Sequence, residues 1–170
     1  YDLTSFLKAT PSQTYLSVPS SFLTLRELSF PFTDKAKIRD TLPYELEGLL
    51  LGSISDYAVD HIITASSSGG CDLLAVCIDK KRLEEIIGTF TTAGLEPKII
   101  TSLDLRLSKG SSEKLIGGMD TGQDERIAAA KLETETPSIN LRQDDLAFTG
   151  DIEQMKRSLR VTASLLLIIL

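Results

Sequence analysis

The sequence predicts an α+β fold with a mixed sheet and flanking helices. Three observations carry that expectation: strand-like runs rich in β-branched and aromatic residues, one continuous apolar run, and two helical stripes opened by capping residues. At 170 residues and 42% hydrophobic content, the chain has enough apolar material for about one ordinary domain plus extra segments.

Residues 14–18 (TYLSV) read as a short strand closed by Pro19. In residues 22–30 (FLTLRELSF), Phe22, Thr24, Arg26 and Leu28 fall on one face and Leu23, Leu25, Glu27 and Ser29 on the other, a period of two. Pro31 ends that strand, and Thr33 is the expected N-cap of a helix. Within PFTDKAKIRDTLPYELEG (31–48), Ile38, Leu42 and Leu46, continued by Leu49 and Leu50, hold helical spacing across Pro43. An interior proline removes a donor and kinks or ends a helix, so the stripe reads as a supporting face and Pro43 as a kink that lets the helix follow its sheet. Glu45 and Glu47 then face outward.

Residues 57–65 (YAVDHIITA) predict another strand and 66–70 (SSSGG) a turn. The run 72–78 (DLLAVCI) is long enough for a buried central strand. Asp79 caps a helix with Leu83, Ile86, Ile87 and Phe90 on one stripe, Gly94 closes it, and 96–101 (EPKIIT) is a further strand. Strand, capped helix and strand together read as a βαβ unit. From Ser108 to Pro137 the chain is polar and weakly patterned, as in a linker. A compact mixed motif follows in 137–148 (PSINLRQDDLAF), and Asp151 opens a helix running into an apolar end.

A formal charge of −6 and a pI near 4.8, with no Trp and 6% aromatics, argue against nucleic acid, which demands clustered Lys and Arg or stacking platforms. Cys71 and Cys77 share one face of a strand, separated by too much extended chain for a bridge. They read as reduced, buried thiols. Residues 1–10 lack the basic start and apolar core of a signal peptide, and an opening at Tyr1 without Met suggests a fragment. The most apolar stretch, 161–170 (VTASLLLIIL), follows Lys156, Arg157 and Arg160. It is expected to begin a transmembrane helix with a cytoplasmic basic flank; the alternative is a docked C-terminal core helix.

The one histidine, His61, lies mid-strand without a second ligand or triad partner, and is expected to be an ordinary strand residue. Glu45 and Glu47, two apart on a helix, point in different directions and cannot share a proton. The piece GGMDTGQ (117–123) resembles a phosphate-binding turn after a strand, but lacks the Lys-Ser/Thr and glycine spacing of nucleotide loops. No catalytic, metal or cofactor-binding constellation emerges, and a non-enzymatic role is expected.

Several of these stretches resemble one family. Residues 15–60, with the Val18-Pro19 strand end, the Arg26 strand, the LSFPF entry (28–32) and the helix carrying LPYELE (42–47), are similar to the actin-like cytoplasmic domain of type II secretion system protein L. They are also similar to the related type IV pilus assembly protein PilM. The strand–helix–strand ending in Gly-Leu-Glu-Pro (94–97) and SINLRQDDLAF (138–148) continue the likeness, which covers about residues 15–107 and 138–170. The order of the motifs, more than any one of them, makes the match.

The resemblance implies a partial actin-like domain in residues 1–107, a linker or remnant of a second lobe in 108–137, a juxtamembrane segment in 138–160 and the start of a membrane helix in 161–170. The first phosphate hairpin and most of the second lobe are missing, so ATP binding is not carried over. It further implies an inner-membrane, mainly cytoplasmic platform linking a secretion or pilus ATPase to membrane platform proteins, with a homodimer as a further expectation. Ile139, Asn140, Leu141 and Arg142 correspond to a docking tail motif, tethered to its own domain or offered to a neighbour; the alternative is a polar loop that caps the final helix. With Glu45 and Glu47 they are the candidate partner contacts. The rival reading is an actin-like nucleotide-binding ATPase or switch using GGMDTG.

Overall fold

The structure is a computed structural model that describes residues 14–117 and 121–150. Its elements are β1 (Thr14–Ser17), β2 (Thr24–Phe30), α1 (Lys35–Leu46), β3 (Tyr57–Ser67), β4 (Gly70–Asp79), α2 (Lys80–Thr92), β5 (Pro97–Thr101), α3 (Leu103–Ser108), α4 (Ser112–Gly117) and α5 (Gln123–Glu135). The fold is α+β. In place of one mixed sheet there are two: β1 pairs in parallel with β5, and β2, β4 and β3 form an antiparallel sheet with β4 in the middle.

β4 explains its own continuous apolar sequence. Successive side chains point to opposite faces, and both faces are covered. Leu74, Val76 and Ile78 join Leu83 of α2, Ile100 of β5 and Leu105 of α3 in one cluster. Cys71, Leu73, Ala75 and Cys77 meet Ile38, Leu42 and Leu46 of α1 in the other. Both cysteines are free and buried. Burial pushes the Cys77 thiol up to about 12, with Arg26 opposing weakly, so it stays protonated and unreactive.

α1 is capped one residue later than expected. Asp34, not Thr33, accepts from the backbone N–H groups of Ala36 (2.9 Å) and Lys37 (3.1 Å). Those donors hold its carboxyl below the ordinary range, Lys37 first. The helix continues through Pro43, whose missing N–H leaves the Arg39 carbonyl without its usual helical donor. Pro43→Ala restores that donor, partly offset by a looser unfolded chain, and is expected to raise stability by about 1 kcal/mol, read as a higher urea midpoint.

α2 begins at Asp79, whose carboxylate accepts from Arg82 N–H at 3.0 Å. It ends in a 6→1 bond from Leu95 N–H to the Phe90 carbonyl (2.9 Å) around Gly94 at φ +80°, the geometry glycine supplies without strain. The elements of the expected βαβ unit are all present, yet β4 and β5 share no ladder: β5 pairs with β1 instead. Residues 108–137, expected as a linker or lobe remnant, carry α4 and α5. α5 buries only Ala129 and Glu133, so it shows no apolar stripe in the sequence. The expected helix from Asp151 and the membrane segment 161–170 lie outside the described residues. Among the described residues, no helix is long and apolar enough to cross a membrane.

Candidate docking surface

After α5 the chain turns back and lays residues 139–142 along β5. On one edge of β5 the Val18 N–H donates to the Thr101 carbonyl at 2.8 Å; on the other the Leu141 N–H donates to the Ile100 carbonyl at 2.8 Å. Alternation then sends Ile139 and Leu141 into the core, where both are buried against the β4 and α2 side chains.

Asn140 points the other way and ties three segments together. Its Oδ1 accepts from Ile100 N–H (3.3 Å) and Arg142 N–H (3.0 Å). Its own backbone N–H donates to Asp60 Oδ2 of β3 at 2.7 Å. The segment therefore bridges the parallel and the antiparallel sheet. Arg142, 8% exposed, donates to the Pro97 carbonyl, to Glu96 Oε1 at 2.7 Å and to the Leu146 carbonyl at 2.9 Å. Its guanidinium also lies 5.3 Å from the Phe148 ring centre, within cation–π range.

A second anchor stands just upstream. Glu133, buried in α5, accepts from Thr101 Oγ1, Arg106 Nε, and both Ser138 N–H and Ser138 Oγ at 2.7 Å. Burial pushes its carboxyl up, but the bonds from Thr101, Arg106 and Ser138 outweigh that and leave it below the ordinary range.

Of the expected contact residues, Ile139, Asn140, Leu141 and Arg142 are thus engaged inside the chain, and a partner reaching them would have to displace the segment. Glu45 and Glu47 are exposed, next to the outward-facing Tyr44 and Leu51, 81% and 93% exposed.

The structure brings together residues that the sequence reading kept apart. A cleft of about 550 Å³ lies between α1, β3 and the turn after Arg142, lined among others by Arg39, Pro43, Tyr57, His61 and Gln143. Glu45 and Glu47 are not among its lining residues. Asp60 Oδ1 accepts from His61 N–H at 2.8 Å. Burial pushes the Asp60 carboxyl up, against the lowering pull of the Asn140 and His61 N–H groups. Burial likewise pushes the His61 imidazole down, Asp60 opposes, and Arg39 and Lys35 reinforce. The signal for this cleft was present in two periods, Arg39–Pro43 on the helix and Tyr57–Val59–His61 on the strand, but neither says that the two elements are neighbours.

The phosphate-turn reading of GGMDTGQ needed a preceding strand; Leu115 and Ile116 instead belong to α4, and residues 118–120 lie outside the described residues.

No protein-family model matches the chain, and no curated protein does. Among the solved structures that match is the cytoplasmic domain of EpsL, an inner membrane component of the type II secretion system of Vibrio cholerae. It is 16% identical, with a TM-score of 0.46, over 61% of this chain and 41% of that one. The chain thus spans about two fifths of that structure's length.

Proposed function

We propose that this chain is a non-enzymatic platform component of a type II secretion or type IV pilus machine. It is a partial actin-like domain at the bacterial inner membrane that couples the cytoplasmic ATPase to membrane partners. The observation that carries this reading is the 139–142 segment. The INLR segment runs alongside β5 of the domain that precedes it, with Leu141 N–H on the Ile100 carbonyl and Asn140 N–H on Asp60, as a tail motif docked on its own domain would. Extended segments that pair by main-chain bonds and bury alternate side chains are a common way for one chain to recruit another.

The test is a pull-down using the full cytoplasmic region as bait for the N-terminal domain of the cognate ATPase. Retention is expected; an empty pull-down counts against the platform role. Calorimetry with Mg-ATP is expected to show no binding, and measurable heat would favour the nucleotide-dependent switch.

A further inference from the structure

α1 carries its charges against its own dipole. Lys35, Lys37 and Arg39 stand in its first half, while Glu45 lies in the last turn and Glu47 is the C-cap. The N-terminal end of a helix favours anions and the C-terminal end cations, so both glutamates weaken the helix that bears them. Among the described residues, no hydrogen bond or ion pair reaches either carboxylate. Local stability does not account for them, and a broken local rule of this kind marks a functional position.

The turn that follows presents apolar side chains at the same end. Between Gly48 and Gly52, both at positive φ, the chain reads Leu49-Leu50-Leu51. Leu50 packs inward on the α1 cluster, whereas Leu49 and Leu51, like Tyr44, face solvent. The turn is held at two points. Arg26 Nε of β2 donates to the Leu49 carbonyl at 3.1 Å, and Tyr57 Oη of β3 donates to the Leu51 carbonyl at 2.9 Å. A segment pinned in this way loses little conformational entropy when a partner covers it. The Arg26 guanidinium is occupied by backbone carbonyls, its second bond running to Leu25 at 2.9 Å. Asp56 adds a third carboxylate, its Oδ2 lying 3.6 Å from where a Gly52 Cβ would stand.

We propose that this end of α1 docks a basic amphipathic segment of a partner protein. Its apolar side chains would cover Tyr44, Leu49 and Leu51, and its Lys or Arg side chains would meet Glu45 and Glu47. The inference deepens the platform reading by naming the chemistry of a partner, and rests on that reading for the partner's existence. Charge selects the occupant. An anionic bilayer and a second copy of the same face are both repelled by these carboxylates. A cation arriving here meets the carboxylates and the last carbonyls of α1 together.

The probe is a capped, labelled peptide of about 14 residues, with Leu on one helical face and Lys on the other. A scrambled peptide of the same composition and a Glu twin are the controls. Fluorescence anisotropy follows binding to the purified full chain with no secretion component present. Glu45→Gln with Glu47→Gln is expected to weaken binding about tenfold, as for two partly exposed charge pairs. Leu51→Ser is expected to weaken it about tenfold as well, as for one leucine no longer covered. Glu84→Gln with Glu125→Gln removes the same charge from α2 and α5, and is expected to leave binding within about twofold.

The urea midpoint of the Glu45→Gln, Glu47→Gln chain is expected to equal or exceed the parent's, because the dipole favours the change. A lower midpoint would give these acids a structural role and overturn the proposal. So would equal weakening by the α2 and α5 changes, equal binding of either control peptide, or no binding at all. Binding to phosphatidylglycerol vesicles, or a dimer, that Leu51→Ser abolishes would also overturn it. An empty ATPase pull-down with peptide binding intact removes the platform reading and keeps this surface; a retained ATPase without peptide binding does the reverse.

Discussion

Leu141→Ala is expected to lower the unfolding free energy by about 3 kcal/mol, within the range of roughly 2 to 5 for buried leucines. Leu141 is 0% exposed and packs in the cluster of Leu74, Val76, Ile78 and Ile100. Truncation removes its transfer free energy and leaves a cavity that β4 and β5 cannot close without breaking their ladders. The measurement is a urea midpoint at neutral pH beside Leu51→Ala, whose side chain is 93% exposed and whose loss is expected to stay within about 0.5 kcal/mol. Amide exchange localises the effect: the Ile100 and Leu141 N–H groups are expected to lose protection before those of central β4. Equal losses for the two variants would mean that the 139–142 segment does not contribute to the core.

Glu133→Gln is the second large effect, expected at about 3 kcal/mol near pH 7. The glutamine cannot match the carboxylate toward Arg106 while also accepting from Thr101 and from both Ser138 donors. Breaking a buried, hydrogen-bonded charge pair costs about 3 to 5 kcal/mol, and the partly exposed Arg106 places this case at the lower end. The same residue gives the protein an acid limb. Its folded carboxyl lies below the ordinary value of 4.5, so the unfolded chain binds the proton more readily. The stabilisation is complete above the unfolded value and is lost as pH falls through the lower folded one. Urea midpoints are expected to drop for the parent as pH falls below the ordinary value of 4.5 and to flatten there in Glu133→Gln. A parent and a variant with parallel acid limbs would assign the effect to other carboxylates.

These two residues also mark where sequence reading stopped. The β4 run, the Asp79 cap, the α2 stripe and the Gly94 exit were legible because each depends on neighbours within a turn or on alternation within a strand. α5 was not, since a helix that buries only an alanine and a glutamate carries no apolar period. The cap of α1 was misplaced by one residue because Thr33 and Asp34 are both capable of the role, and the choice depends on where the chain leaves β2. Asn140 was singled out by resemblance; its contacts to Ile100 and Asp60 span 40 and 80 residues, beyond any local pattern.

The sequence by itself determined the α+β class, the order of most strands and helices, and the buried character of β4, because local geometry and the period of burial specify those. Only the tertiary structure decided that β5 pairs with β1 rather than β4, that residues 139–142 close the seam between two sheets, and that Arg39 and His61 share one cleft. Those arrangements are choices of partner among distant segments, settled by which apolar faces and unpaired backbone edges can be satisfied together.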